Sequence, residues 1–213
     1  MSRLTKKQKE ELIVRMLEAY PQEGCALHYE TTFQLLVAVV LSAQTTDVSV
    51  NQVTPALFEK APDAFAMAQL QPEEIETLIR RIGMYHTKAA NIAKLSRILA
   101  EQYDGIVPGD FDRLVELPGV GRKTANVVLA EAFGEQRIAV DTHVFRLANR
   151  TGLTEEPDVL KTELALMKAI PQEHWTRMHH ALIWHGRRVC GARSPKCENC
   201  CIETVCRKNG LKP

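Results

Sequence analysis

The chain has no excess of charge of either sign: 27 Lys and Arg stand against 26 Asp and Glu in 213 residues. Net charge therefore gives no support for nucleic-acid binding, and any surface for a polyanion must be a local patch. Long apolar runs are absent as well. The longest, Phe33 to Leu41, is interrupted by Gln34 and is far too short to cross a bilayer, so no membrane partner is expected. Met1 to Glu11 is charged and polar, without the apolar core or cleavage site of a secretion signal. Six cysteines without such a signal imply a reducing compartment, where clustered cysteines bind metal rather than pair. Low-complexity segments and convincing strands are missing too.

What is present reads as helix after helix. A chain of this length can form one large domain or two small ones, with a real core. Leu12, Ile13, Met16 and Leu17 make a helical stripe within Leu4 to Tyr20, ended by Pro21. Phe33 to Leu41 has the β-branched content of a buried strand, but no other segment offers a partner strand, so a buried helix is expected. Further helices are expected over Val48 to Glu59, Pro62 to Gln69, Pro72 to Gly83, Thr87 to Tyr103, Phe111 to Leu117 and Arg122 to Phe133. Asp141 to Thr151, Asp158 to Ile170 and Glu173 to Val189 complete the set, and the fold class is all-α.

The stretch that organises the chain is Leu117-Pro118-Gly119-Val120-Gly121-Arg122-Lys123-Thr124-Ala125, with Asp141-Thr142-His143 following. Glycines between two helices allow positive φ and remove side chains that would hold a ligand off. The amides of Val120, Gly121 and Arg122 are expected to point outward at a helix start, where partial positive charge suits a phosphate. The helix start and Arg122 favour the neutral, nucleophilic form of the Lys123 amine. Plainer readings stand beside these: a simple turn, a solvated lysine, and Asp141 as an N-cap, a role compatible with catalysis.

Cys190, Cys197, Cys200 and Cys206 give the spacing C-x6-C-x2-C-x5-C within 17 residues. So few apolar residues accompany them that a metal centre is expected to hold the segment together. Spacing alone leaves Zn²⁺ and an iron–sulfur cluster open. Cys201 could compete with Cys200, and Cys25 reads as an ordinary small apolar residue. The loop Gly191 to Lys196 is basic through Arg193 and Lys196, and Arg187 and Arg188 precede it, which suggests phosphate contacts.

These segments resemble the endonuclease III family of helix-hairpin-helix DNA glycosylases. The resemblance rests on S-A-Q-T-T-D-V-S-V-N at 42–51, I-G-M-Y-H-T-K-A at 82–89, L-P-G-V-G-R-K-T-A-N-V-V at 117–128, I-A-V-D-T-H-V-F-R at 138–146 and the four cysteines. It implies two helical domains with the active site in the cleft between them. Residues 25–135 would form a six-helix bundle carrying the hairpin, and 1–24 with 136–213 the cluster domain. It implies that Lys123 is the nucleophile, Asp141 the assisting carboxylate, and Cys190, Cys197, Cys200 and Cys206 the ligands of a [4Fe–4S] cluster. Gln44 would fill the gap left by an extruded base and Met84 would wedge the opposite strand, where the family more usually has leucine. Gly119, Val120, Gly121, Arg122, Thr124, His143, Arg187, Arg193 and Lys196 would complete the DNA contacts. The implied activity is that of a monomeric, bacterial-type, nucleoid-associated cytoplasmic enzyme acting on duplex DNA with oxidised pyrimidines or abasic sites. It would cut 3′ of the abasic site by β-elimination through a lysine Schiff base. Three rivals are an adenine glycosylase, which lacks the lysine, a non-catalytic DNA-binding module, and a zinc-stabilised interaction domain.

Overall fold

The computed structural model describes residues 3–211, and among these the regular structure is helical throughout. The chain divides into two compact units, one of Ala26–Gly134 and the other of the segments up to Cys25 and from Glu135 on.

Numbered from α1 (Lys6–Ala19), which belongs to the other unit, the helices of the first unit are α2 (Thr32–Leu41), α3 (Asp47–Lys60), α4 (Ala64–Gln69), α5 (Pro72–Ile79), α6 (Tyr85–Gln102), α7 (Phe111–Glu116) and α8 (Arg122–Phe133). Every residue of α2 from Phe33 to Leu41 is buried, which explains why its sequence lacks an amphipathic stripe. It packs on α8, while α6 packs on α4 and α5. Thr31, Thr46, Asp63 and Asp110 accept hydrogen bonds from the first turns of α2, α3, α4 and α7, so side-chain caps fix these starts. The helix expected to run to Gly83 ends earlier, at Ile79. There the Ile82 amide turns back to the Ile79 carbonyl (3.0 Å), and the Ile82 side chain is still buried. Apolar spacing could not reveal this break, because burial continues through it.

In the second unit, α1 (Lys6–Ala19), α9 (Thr142–Thr151), α10 (Val159–Ala169) and α11 (Trp175–Arg188) surround a core that includes Leu12, Met16, Val144, Leu147, Leu166, Met178 and Leu182. Thr5 and Gln8 form a capping box at the start of α1. After α11 the cysteine segment folds back, and Ile202 and Val205 enter the same core. This corrects the expectation that the segment has almost no apolar anchorage. Two buried aliphatic side chains supply about 3–6 kcal/mol of burial before any metal is bound. No described helix is long and apolar enough to cross a membrane.

Candidate active site and cysteine centre

The turn between α7 and α8 puts one glycine where only glycine is comfortable. Gly119 has φ +81°, and a Cβ there would stand 3.0–3.3 Å from atoms of Asn91. Gly121 differs: it caps α8 with φ −97° and ψ 177°, extended backbone open to any residue, and a Cβ there would meet nothing within 4 Å. The fold therefore does not need glycine at 121, which leaves a bare backbone facing open space.

The amides are not arranged quite as the sequence suggests. Val120 is buried, and its N–H closes the turn on the Leu117 carbonyl at 3.0 Å, so it cannot serve a ligand. Among the described residues, Gly121, Lys123 and Thr124 keep amides without an acceptor, as the first turn of a helix must. Thr124 is buried as well, which leaves its side chain little access to a ligand. Arg122 is exposed, with its guanidinium 5.2 Å from the centroid of the Phe111 ring. Lys123 is exposed beside it, and its amine makes no hydrogen bond or ion pair among the described residues.

Asp141 is the N-cap of α9. Its Oδ1 accepts from the Val144 amide at 2.8 Å, while Oδ2 makes no hydrogen bond among the described residues. One oxygen orients the carboxylate and the other remains for chemistry. His143 follows, half-buried, with Nδ1 3.2 Å from Arg146 Nη2. A guanidinium only donates, so the neutral ring accepts at Nδ1 and carries its proton on Nε2. Burial lowers the His143 pKa; Asp141 opposes that shift, and Arg146 and Arg187 add to it.

Gln44 and Met84 are both exposed and both left-handed, with φ 53° and 56°. Such conformations are uncommon outside glycine and concentrate at functional sites. Gln44 lies between α2 and α3, and Met84 sits immediately before α6.

In the C-terminal segment, Cys190, Cys197, Cys200 and Cys206 line one cavity together with His185, Arg150 and Ile202. Cys201 does not line it, because its Sγ lies 3.9 Å from Met16 Sδ on α1. Cys201 therefore turns away from the position in which it could replace Cys200. Burial pushes the Cys200 thiol up to about 12, with Cys201, Cys206 and Cys190 adding to the shift, and raises Cys206 too. These thiols become thiolates only when a cation compensates them. Among the described residues, no three His, Cys, Asp or Glu side chains are gathered tightly enough to hold one metal ion.

Several supporting residues escaped the sequence reading. Arg150 on α9 donates to the Gly191 carbonyl (2.7 Å), the Ala192 carbonyl (3.0 Å) and Cys190 Sγ (3.4 Å). Arg146 donates to the Gly186 and Cys190 carbonyls, each at 3.0 Å. His185 joins Tyr20 Oη at Nδ1 (2.9 Å) to Cys200 Sγ at Nε2 (3.3 Å), and burial lowers its pKa to about 4. A neutral ring that accepts from tyrosine thus donates to sulfur. The only sequence signal was their placement on helices flanking the cysteines. Arg193 and Lys196 are exposed on the loop that Arg150 holds, and Arg187 is exposed at the end of α11 beside Trp184. Arg188 is ion-paired to Glu23.

A model of the HhH-GPD superfamily of base excision DNA repair proteins matches residues 37–172. Endonuclease III of Synechocystis sp. is 48% identical over 204 residues, covering 95% of this chain and 93% of that protein. Endonuclease III of Escherichia coli is 48% identical over 203 residues, covering 95% and 96%. Among solved structures, a non-covalent endonuclease III–DNA complex superposes with a TM-score of 0.92 at 48% identity, covering 96% of each chain. A trapped endonuclease III–DNA covalent intermediate superposes with a TM-score of 0.92 at 48% identity, covering 96% of this chain and 97% of that one. At this identity and coverage the chain belongs to the endonuclease III family of helix-hairpin-helix base excision DNA repair proteins.

Proposed function

We propose that this chain is a bifunctional DNA glycosylase and AP lyase that removes oxidised pyrimidines from duplex DNA, with Lys123 as its nucleophile. The single observation that carries the assignment is the exposed Lys123 amine, without a partner among the described residues, in the first turn of α8 beside the bare Gly121 backbone. Borohydride trapping with a Lys123→Gln protein tests it.

C1′ of a stacked nucleotide is out of reach, so the damaged base must leave the helix first, at a cost that falls when the lesion already weakens stacking. The neutral Lys123 amine attacks C1′, the C1′–N bond breaks, and the base departs with the electron pair and a proton. Ring opening gives an imine between Lys123 and C1′. The imine acidifies the 2′ protons; loss of one expels the 3′ phosphate by β-elimination, and hydrolysis of the imine frees the lysine. Asp141, held at Oδ1, has Oδ2 available for the proton transfers.

Phosphate binding falls to the amides of Gly121, Lys123 and Thr124 and the Arg122 guanidinium, with His143 Nε2–H, Arg187, Arg193 and Lys196 as further donors. Gly119 and Gly121 then separate by mutation. Gly119→Ala forces a side chain into the left-handed region and against Asn91, and should lower stability by about 1–2 kcal/mol. Gly121→Ala should unfold at the wild-type temperature yet bind damaged and undamaged DNA more weakly, because its methyl meets only the incoming phosphate. Melting curves and fluorescence anisotropy decide; a Gly121→Ala protein with full DNA affinity would remove the phosphate from this turn.

Gln44 and Met84 fill and wedge the opened duplex. Met84→Ala should slow excision of a paired, damaged base far more than cleavage of a preformed abasic site, measured in single-turnover assays. Equal slowing of both substrates would remove the wedge.

For the cysteine cavity the donor set fits a [4Fe–4S] cluster: four thiols around one space, with N–H groups of Arg150, His185 and Lys208 directed at sulfurs. When bound, the cluster would supply the positive charge that lets the buried thiols ionise, and would stiffen the loop carrying Arg193 and Lys196. A yellow-brown protein supports iron–sulfur, and a colourless one supports zinc. This enzyme would act in the cytoplasm, at the nucleoid.

A further inference from the structure

We infer that Lys88, on the first full turn of α6, is a positioning residue that joins the turn carrying Gln44 to the turn carrying Met84, so that strand opening is set by both turns together. The inference rests on the role given above to Gln44 and Met84.

Lys88 is 4% exposed, the most buried of the described lysines and arginines. Its ammonium donates to Thr45 Oγ1 at 2.6 Å, and the Thr45 hydroxyl donates in turn to the Ala43 carbonyl at 3.4 Å. That carbonyl belongs to the peptide entering Gln44. The Lys88 backbone N–H donates to the Met84 carbonyl at 3.0 Å and closes the first turn of α6 over that residue. One residue therefore bonds to Met84 directly and to the Gln44 turn through Thr45, the two left-handed, exposed positions at which a DNA-opening side chain is assigned. Among the described residues with positive φ, the only other non-glycines are Asp104 and Lys208.

A buried ammonium is an expensive way to fill space, because desolvation opposes its charge. That opposition lowers the pKa of Lys88 here. A methionine would pack the same volume without that penalty. An ammonium has three donors, and Thr45 Oγ1 is the acceptor for one of them. The charged group is thus kept for a directed bond to the Gln44 turn rather than for packing. Both turns hold conformations that relax if left unsupported. With the bond in place, Gln44 and Met84 approach the duplex in fixed register. Without it, each turn must be ordered separately while the base is being extruded.

The experiment compares two duplexes, one with a single paired thymine glycol and one with a preformed abasic site, in single-turnover assays on folded protein. Lys88→Met and Thr45→Val should each slow thymine-glycol excision by about ten- to a hundredfold, the loss of one hydrogen bond to a charged group, and affect abasic-site cleavage far less. The double variant should be no slower than either single one, because both remove the same bond. Lys88→Arg and Thr45→Ser keep donor and acceptor and should recover most of the rate. A 2-aminopurine opposite the lesion should brighten more slowly in Lys88→Met at the same rate of DNA association. Should Lys88→Met fail to fold, Thr45→Val, at a half-buried position outside the helices, carries the test alone. Equal slowing on both substrates, or additive losses in the double variant, would reduce Lys88 to a structural residue and overturn the inference. Met84→Ala is run in parallel. If it discriminates between the substrates and Lys88→Met and Thr45→Val do not, this inference alone fails; if Met84→Ala does not discriminate, the strand-opening role and this inference fall together.

Discussion

A Lys123→Gln protein should fold, bind lesion-containing duplex, and give neither strand cleavage nor a borohydride-trapped adduct. The expected effect is complete because the substitution removes the proposed covalent partner and leaves the rest of the site in place. Lys123 is exposed and makes no hydrogen bond or ion pair among the described residues, so the helix loses nothing when its charge goes. The backbone amides that would hold the phosphate belong to the turn, whose geometry is fixed by the Val120–Leu117 hydrogen bond and the left-handed Gly119. Affinity and chemistry should therefore part company. Asp141→Asn is the companion measurement. Asparagine still caps α9, so stability should hold within about 1 kcal/mol. Turnover should fall by about 10²–10⁴-fold, the usual worth of general acid–base assistance. A trapped adduct in folded Lys123→Gln would mean that another amine is the nucleophile, and the assignment of Lys123 would fall.

Cys197→Ser should abolish visible absorbance and release the loop from Cys190 to Cys206. Structural metal binding in small zinc peptides contributes about 10–16 kcal/mol, so losing one ligand of such a centre can exceed the whole stability of a domain. The loss is not expected to be total here, because Ile202 and Val205 remain in the core and Arg150 still holds the Gly191 and Ala192 carbonyls. Helical circular dichroism should persist while limited proteolysis cuts between residues 191 and 196. Since Arg193 and Lys196 ride on this loop, DNA affinity should fall and its salt dependence flatten. Cys201→Ser should keep full colour, as its thiol faces Met16. Colour lost in Cys201→Ser and kept in Cys200→Ser would overturn the ligand set.

The helices were legible because their determinants are local. Caps at Thr31, Thr46, Asp63, Asp110, Asp141 and Asp158 act within three residues, and apolar stripes repeat within a turn or two. Lys123, Asp141 and the four cysteines stand out along the chain for a similar reason: spacing and neighbouring residue types single them out, and the roles proposed for them rest on the family resemblance. The end of α5 at Ile79 was not legible, because burial continues through Ile82 after the helix has stopped. Which hairpin amide is already taken, which glycine the fold requires and which cysteine faces away all depend on atoms that meet only after packing. Arg15 on α1 reaches the Cys201 carbonyl across 186 positions, and Tyr20 reaches His185 across 165. Lys88 shows the same division most plainly. Its place in M-Y-H-T-K marks it as one helical turn beyond Met84, but only the docking of α6 beside the Gln44 turn buries its ammonium and gives it Thr45. Sequence fixes what is near along the chain; burial and hydrogen-bond partners across it are properties of the packed molecule alone.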